Sequence, residues 1–129
     1  MNIGEIMSRE LVTVGATQTL RQAAEVMSSY NVGAVIVSSE DQPGILSERD
    51  ILKALGAGVD IDQITVADRM TANAVTAFPT WDVDQAVRTM LEGGFRHLVV
   101  VDGGRPVGML SIRDLAAHLS GASPATSRT

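Results

Sequence analysis

Two patterns of hydrophobic and polar residues organise the first half of the chain. Between residues 20 and 27, apolar side chains recur at i, i+3, i+4 and i+7, which is typical of the buried face of a helix. Thr19 and Gln22 fit a capping box at its start. An uninterrupted apolar run over 32–37 predicts a buried strand. The other predicted elements are strands over 11–14 and 43–46 and a helix over 47–55, capped by Gly56.

The second half of the chain repeats this order. A shift of 63 residues aligns Met7 with Met70 and Met27 with Met90, and one extra residue later changes the shift to 64. Fourteen identical pairs result, in order along the chain. The elements predicted here are a helix with Val83, Ala86, Val87 and Met90 on one face, strands over 97–101 and 106–110 joined by an Asp102-Gly103-Gly104 turn, and a helix over 111–119.

Each copy therefore reads β-α-β-β-α, and the fold class is α+β. The first copy is assigned to residues 1–57, the linker to 58–65, the second copy to 66–120 and a flexible tail to 121–129. A sheet this small cannot bury its surface alone, so we expect the two copies to pack face to face about a pseudo-twofold axis.

Composition excludes several classes of protein. The 129 residues contain no Cys, which rules out disulfides, thiolate metal sites and a cysteine nucleophile. A net charge of −5 and an aromatic content of 3% argue against nucleic-acid binding. No apolar run reaches the roughly 18–20 residues of a membrane span, and the start of the chain does not resemble a signal peptide. We therefore expect a cytoplasmic protein that binds neither nucleic acid nor membrane.

The most informative polar motif occurs once in each copy. Ser47 and Asp50, like Ser111 and Asp114, open a predicted helix directly after an apolar strand. A helix N-terminus offers unpaired N–H groups and the positive end of the helix dipole. A carboxylate there can accept two hydrogen bonds from a vicinal diol such as that of ribose. The spacing is also nearly that of a capping box, so a structural cap and a ligand site both remain open.

A basic pair marks the second copy alone. Arg96 and His97 begin its apolar strand, where the first copy has Gly33 and Ala34, so the fold does not require basic residues there. They are candidates for a phosphate contact, which His97 would make pH-dependent. A solvated pair at the end of a strand is the alternative interpretation.

No catalytic or metal centre can be assembled from the sequence. Two His without Cys give no recognisable metal-ligand spacing. No Ser/His/Asp order, paired-acid arrangement or Walker loop occurs. We expect no catalytic residues, no metal and no catalytic cofactor.

These features resemble a tandem pair of CBS domains, the Bateman module, over residues from about 3 to 119. The resemblance is carried by Ile6-Met7 and Arg69-Met70, by the apolar run over 32–37, by the segment over 96–102, and by the Gly-h-h-Ser-x-x-Asp endings over 44–50 and 108–114. It implies a regulatory module that binds an adenosine-containing ligand (AMP, ADP, ATP, S-adenosylmethionine or NAD) in clefts between the repeats. It also implies a homodimer and an effector protein to which ligand binding is transmitted.

The resemblance assigns a part of the ligand to each candidate residue. The ribose contacts it implies are Ser47, Asp50, Ser111 and Asp114. The adenine walls it implies are Val12, Val32 and Gly33 in one cleft and Val75 and Phe95 in the other. The phosphate contacts it implies are Arg96 and His97, with Arg49 and Arg113 as further candidates. One cleft is expected to combine the second copy's phosphate and ribose residues with the first copy's adenine wall.

Two departures from the family pattern weaken the case for the first copy as a site for phosphorylated ligands. Its hairpin is one residue shorter, with Pro43 at the start of a strand, and it lacks the basic pair. The alternative function is a non-catalytic interaction or dimerisation scaffold in which the Ser-x-x-Asp motifs only cap helices. A small enzyme is the third hypothesis, and no nucleophile or general base supports it.

Overall fold

Two sheets, each with two long helices, make up the part of the chain that the computed structural model describes, residues 1–38 and 42–121. The first copy contains β1 (Thr13–Val14), α1 (Leu20–Tyr30), β2 (Ala34–Val37), β3 (Gly44–Ser47) and α2 (Glu48–Gly56). The second contains β4 (Thr76–Ala77), α4 (Val83–Gly93), β5 (His97–Asp102), β6 (Arg105–Ser111) and α5 (Ile112–Ser120). A 3₁₀ helix over Ile3–Glu5 begins the first copy, and a short helix α3 (Val66–Arg69) begins the second.

The predicted β-α-β-β-α order is confirmed in both copies. In the first sheet β1 pairs parallel with β2, and β2 pairs antiparallel with β3. The second sheet repeats this order with β4, β5 and β6. The extra residue of the second copy falls in its hairpin, where a bulge shifts the register between Val100 and Val101. Gly103 and Gly104 turn this hairpin with φ of 59° and 78°, the left-handed geometry that two-residue turns need.

Packing groups the chain differently from the sequence repeat. One compact unit is Val12–Ala74, and the other combines Met1–Leu11 with the described residues from Val75 onward. Each unit has its own hydrophobic core. Leu20, Leu46 and Val66 are fully buried in the first unit, and Ile3, Leu98 and Leu110 are fully buried in the second. The segment before the first strand of each copy therefore packs with the sheet of the other copy.

Two glycines make this arrangement possible. Thr71 forms a two-way backbone bridge to Ile45 beside Gly44, and Ser8 forms the same bridge to Met109 beside Gly108, with N···O distances of 2.9–3.0 Å. A Cβ at Gly44 would lie 3.1 Å from the carbonyl oxygen of Thr71. A Cβ at Gly108 would lie 2.7 Å from the carbonyl oxygen of Ser8 and 2.7 Å from the sulfur of Met7. The preceding segments can approach the sheets only because both positions lack a side chain.

The predicted linker forms part of a unit. Val59, Ile61 and Ile64 pack against the core of Val12–Ala74. The carbonyl oxygens of Ile64 and Ile61 accept hydrogen bonds from the N–H groups of Leu20 and Arg21, at 3.0 Å each, in the first turn of α1. The linker thereby satisfies backbone donors that the helix leaves unpaired.

An ion pair also joins α1 to this segment. The Arg21 guanidinium makes two contacts with the carboxylate of Asp62, which hold the pKa of Asp62 below its usual range. Both side chains are about half exposed, so we assign the pair a minor role in stability.

Local signals at the helix ends were predicted with mixed success. The Thr19–Gln22 capping box of α1 is present. The assignment of Gly56 as the C-cap of α2 is wrong. Gly56 is the last helical residue, Ala57 is the C-cap, and the left-handed position with φ 78° falls on Gly58. The helix continues one residue farther because the N–H of Ala57 still reaches the carbonyl oxygen of Lys53, at 3.0 Å.

None of the described residues belongs to a helix long and apolar enough to cross a bilayer. The predicted flexible tail, residues 121–129, lies outside the described part of the chain except for Gly121.

Gly108→Ala should destabilise the protein by about 1–3 kcal/mol, because the new methyl group overlaps backbone as well as the Met7 side chain. Gly56→Ala is the matched control. It adds the same methyl group in a helix with no atom within 4 Å, and it should be neutral or slightly stabilising. Urea unfolding of both variants measures the difference, and equal stabilities would refute the close-approach explanation.

Candidate functional site

Strand and helix meet without an intervening loop at both Ser-x-x-Asp motifs. Ser47 is the last residue of β3 and the N-cap of α2, with φ −109° and ψ 162°. Ser111 occupies the same place between β6 and α5, with φ −110° and ψ 161°. The extended backbone of the serine ends the strand while its hydroxyl starts the helix. The two copies therefore present the same junction.

Both junctions are complete capping boxes. Asp50 Oδ2 accepts a hydrogen bond from the N–H of Ser47 at 2.8 Å, and Ser47 Oγ accepts one from the N–H of Asp50 at 3.3 Å. The corresponding distances for Ser111 and Asp114 are 2.9 and 3.0 Å. The structural role left open by the sequence is thus real. Asp50 also accepts a hydrogen bond from Ser47 Oγ at 3.1 Å, and this bond and the one from the N–H of Ser47 both end on Oδ2.

A third box of the same type was missed by the sequence analysis. Thr65 and Asp68 cap the short helix α3, where Asp68 Oδ2 accepts from the N–H and the hydroxyl of Thr65 at 3.1 and 2.9 Å. These bonds hold the pKa of Asp68 below its usual range. The Thr-x-x-Asp spacing could have revealed it. The motif alone therefore does not identify a ligand site. The residues around each capping box have to be compared.

The start of the neighbouring strand lies beside each junction. His97 is the cross-strand partner of Ser111, and the N–H of Ile112 donates to the carbonyl oxygen of Arg96 at 2.9 Å. The basic pair predicted to contact phosphate and the Ser111–Asp114 pair predicted to contact ribose are therefore adjacent in one unit. Asp114 is 5% exposed, and Arg96 is exposed. A buried carboxylate in the first turn of α5 and an exposed basic residue at the adjoining strand start suit a ligand with a diol at one end and an anion at the other.

The first copy has the same backbone with different side chains. Ala34 is the cross-strand partner of Ser47, and the N–H of Glu48 donates to the carbonyl oxygen of Gly33 at 2.9 Å. The predicted equivalence of Gly33-Ala34 with Arg96-His97 is confirmed by this register. Arg49 and Arg113 are exposed second residues of α2 and α5.

The carboxylate of Glu48 is the site feature that sequence reasoning missed. Its Oε1 lies 3.3 Å from the place where a Cβ at Gly33 would stand. It fills the space that a side chain at position 33 would enter. The shift of 64 residues aligns Glu48 with Ile112. The difference is therefore visible in the sequence, but a search for identical pairs passes over it.

The four predicted adenine-wall side chains differ in accessibility. Val12 is 7% exposed and belongs to the core of its unit, and Val32 packs partly against that core. Val75 is 38% exposed, just before β4. The ring of Phe95 packs partly against the core of the second unit and lies over Gly93, where a Cβ would come within 2.1 Å of the ring. Val75 is the most accessible of the four, and the adenine contacts of all four side chains stay predictions.

The candidate residues divide between the two units. Those in Val12–Ala74 are Val12, Val32, Gly33, Ser47, Arg49 and Asp50, and those in the other unit are Val75, Phe95, Arg96, His97, Ser111, Arg113 and Asp114. The predicted sharing of a cleft by residues of both copies stays a prediction. Among the described residues, no group of three or more His, Asp or Glu side chains is placed to hold a metal ion.

Comparison with known proteins finds one family. The model described as "CBS domain" matches residues 3–57 and 64–121. An uncharacterized protein of Methanopyrus kandleri is 30% identical over 119 residues, which are 89% of this chain and 61% of that protein. A CBS domain protein of Pyrobaculum aerophilum complexed with AMP superposes with a TM-score of 0.81 at 31% identity, covering 98% of this chain and 99% of that one.

A second solved structure extends the range of ligands among similar proteins. The CBS domain pair of protein MJ0100, in complex with 5-methylthioadenosine and S-adenosyl-L-methionine, has a TM-score of 0.84 at 25% identity. The alignment covers 94% of this chain and 97% of that one.

Ser111→Ala should lower the free energy of unfolding by about 1 kcal/mol, because α5 loses the hydroxyl that caps the N–H of Asp114. Ser29→Ala, an exposed position inside α1, is the control and should cost nothing, since Ala is the better helix former. Chemical denaturation followed by circular dichroism tests both, and a Ser111→Ala variant as stable as the wild type would contradict the capping role.

Proposed function

Because the chain belongs to the CBS-domain family and carries two copies of that domain, we propose that it is a regulatory module that binds an adenosine-containing ligand and performs no catalysis of its own. The observation that carries the proposal is the junction of β6 and α5. There a buried Asp114 and the adjacent Arg96-His97 pair combine a diol acceptor with a site for an anion. AMP and S-adenosyl-L-methionine in the two similar structures support this ligand class.

Capping and ligand binding are compatible at one carboxylate. A carboxylate has two oxygens and about four acceptor positions. The cap of α2 uses Oδ2 of Asp50, and Oδ1 accepts no hydrogen bond from the described residues. A ribose diol would therefore add to the cap and need not displace it. The cap also holds the carboxylate in one orientation before the ligand arrives, which reduces the ordering that binding requires.

The output of such a module has to pass through a partner or through association of the chain with itself. Several leucines stand in solvent on the helices, among them Leu52 at 68% exposed on α2 and Leu119 at 78% on α5. Exposed apolar residues of this size support a homodimer or an effector-binding surface as part of the proposal. A ligand that binds one arrangement of the module better than another shifts its population toward that arrangement.

Asp114→Asn should weaken binding of AMP by about 10–100-fold, because the ribose hydroxyls lose a charged acceptor. Asn keeps an oxygen that can accept the cap bond from the N–H of Ser111, so the fold should persist. Isothermal titration measures the affinity.

A thermal-shift screen of the wild type with AMP, ADP, ATP, S-adenosylmethionine and NAD selects the strongest ligand, since a ligand at 100 times its Kd adds about 2.7 kcal/mol of stability.

Asp68→Asn is the matched control for that experiment. It alters the same type of capping box in α3, which follows α2 and not a strand and contains none of the candidate ligand residues, and ligand affinity should stay unchanged. If none of the five ligands raises the melting temperature, the chain is the scaffold alternative, in which the boxes only cap helices.

Arg96→Gln should lower the affinity for AMP by about tenfold and leave that for adenosine unchanged, because only the phosphate needs the guanidinium. Arg105→Gln removes the same charge at the opposite end of the β5–β6 hairpin and should affect neither ligand. Equal losses for AMP and adenosine in Arg96→Gln would contradict the phosphate role.

A further inference from the structure

The two Ser-x-x-Asp junctions share a backbone but have opposite charge on the neighbouring strand. Beside Ser111, the strand begins with Arg96 and His97. Beside Ser47, it begins with Gly33 and Ala34, and the space over Gly33 is occupied by the carboxylate of Glu48. The strand start that carries Arg96 in the second copy thus has a neighbouring carboxylate, that of Glu48, in the first.

Backbone hydrogen bonds show that these places are equivalent. The carbonyl oxygen of Gly33 accepts from the N–H of Glu48, and that of Arg96 accepts from the N–H of Ile112, both at 2.9 Å. Position 48 in the first copy therefore corresponds to position 112 in the second. Ile112 carries no charge, whereas Glu48 adds a negative charge beside Asp50.

The charges of the first helical turn add to this contrast. The first turn of α2 contains the carboxylates of Glu48 and Asp50 with one guanidinium, that of Arg49. The first turn of α5 contains only one carboxylate, that of Asp114, and the guanidinium of Arg113. A phosphate at the first junction would meet an excess of carboxylates, and like charges in proximity oppose binding. A ligand end without negative charge meets no such opposition.

We propose that Glu48 makes the Ser47–Asp50 site select adenosine-type ligands whose 5′ substituent is uncharged or cationic, while the Ser111–Asp114 site takes phosphorylated ones. This inference rests on the proposed function, because it assumes that both junctions bind adenosine-containing ligands. Glu48 acts as a specificity-determining residue through the sign of its charge. The position of this carboxylate depends on the absence of a side chain at Gly33, because a Cβ there would lie 3.3 Å from Oε1 of Glu48.

The test titrates AMP and adenosine into the Asp114→Asn protein, in which the site of the second copy is impaired. Adding Glu48→Gln should raise the affinity of the first site for AMP on the order of tenfold, because a negative charge next to the phosphate is removed. The affinity for adenosine should change less than about twofold, because adenosine carries no charge for Glu48 to repel. Since Glu48 is exposed, the gain should shrink as salt is raised toward the molar range.

Two further variants test whether the effect depends on the position of the carboxylate. Glu25→Gln removes the same charge from an exposed position on α1 and should leave both affinities unchanged. Ile112→Glu, made in the otherwise wild-type chain, introduces the carboxylate into the second copy and should weaken AMP binding there but not adenosine binding. Ile112 is 44% exposed, so the substitution does not place a charge in the core.

The outcomes separate the two proposals. If neither adenosine nor AMP binds the wild-type chain, the proposed function fails for these ligands, and the role of Glu48 fails with it. If both bind but Glu48→Gln leaves the AMP affinity of the first site unchanged, only the role of Glu48 is overturned. An equal gain for AMP and adenosine would also overturn it, because a charge effect has to depend on the phosphate.

Discussion

The direct passage from strand to helix at Ser47 and Ser111 is the constraint on which the candidate sites depend. A single residue ends the strand and caps the helix, so no loop separates the sheet from the first helical turn. The carboxylate at the third helical position is thereby fixed beside the start of the neighbouring strand, where His97 or Ala34 stands. The capping bonds, each of which contributes about 1 kcal/mol, also orient the group that a ligand would use. Helix stability and the proposed ligand binding therefore depend on the same carboxylate group.

The fold within each copy could be read from the sequence, because its signals are local. The i, i+3, i+4, i+7 pattern located α1 and α4, the apolar run located β2, and the repeat transferred each assignment to the second copy. The C-cap of α2 was misplaced because two glycines lie two residues apart, and only backbone geometry shows that Gly58 and not Gly56 takes the left-handed conformation. Periodicity gives the existence of an element more reliably than its last residue.

The grouping of segments into compact units could not be read in this way. Met7 and Met70 align in the repeat, yet Met7 packs at Gly108 and Met70 packs at Gly44, so each contacts the glycine of the other copy. Aligned residues of a duplicated sequence occupy equivalent places, and either copy offers the same glycine. Sequence identity cannot say which of two equivalent partners is used. Only the three-dimensional path of the chain shows which partner is used.

The site residues show the same division between what repeats and what differs. The repeat drew attention to Ser47, Asp50, Ser111 and Asp114 because they are identical in the two copies, and the structure shows that this identity already follows from helix capping. Thr65 and Asp68 form the same box at α3, which follows α2 and not a strand. What distinguishes one junction from another is the set of residues that are not identical: Arg96 against Gly33, and Ile112 against Glu48. In a duplicated fold, shared residues report what both copies need in order to fold, and the differing residues around a shared frame are where the copies can acquire different ligands.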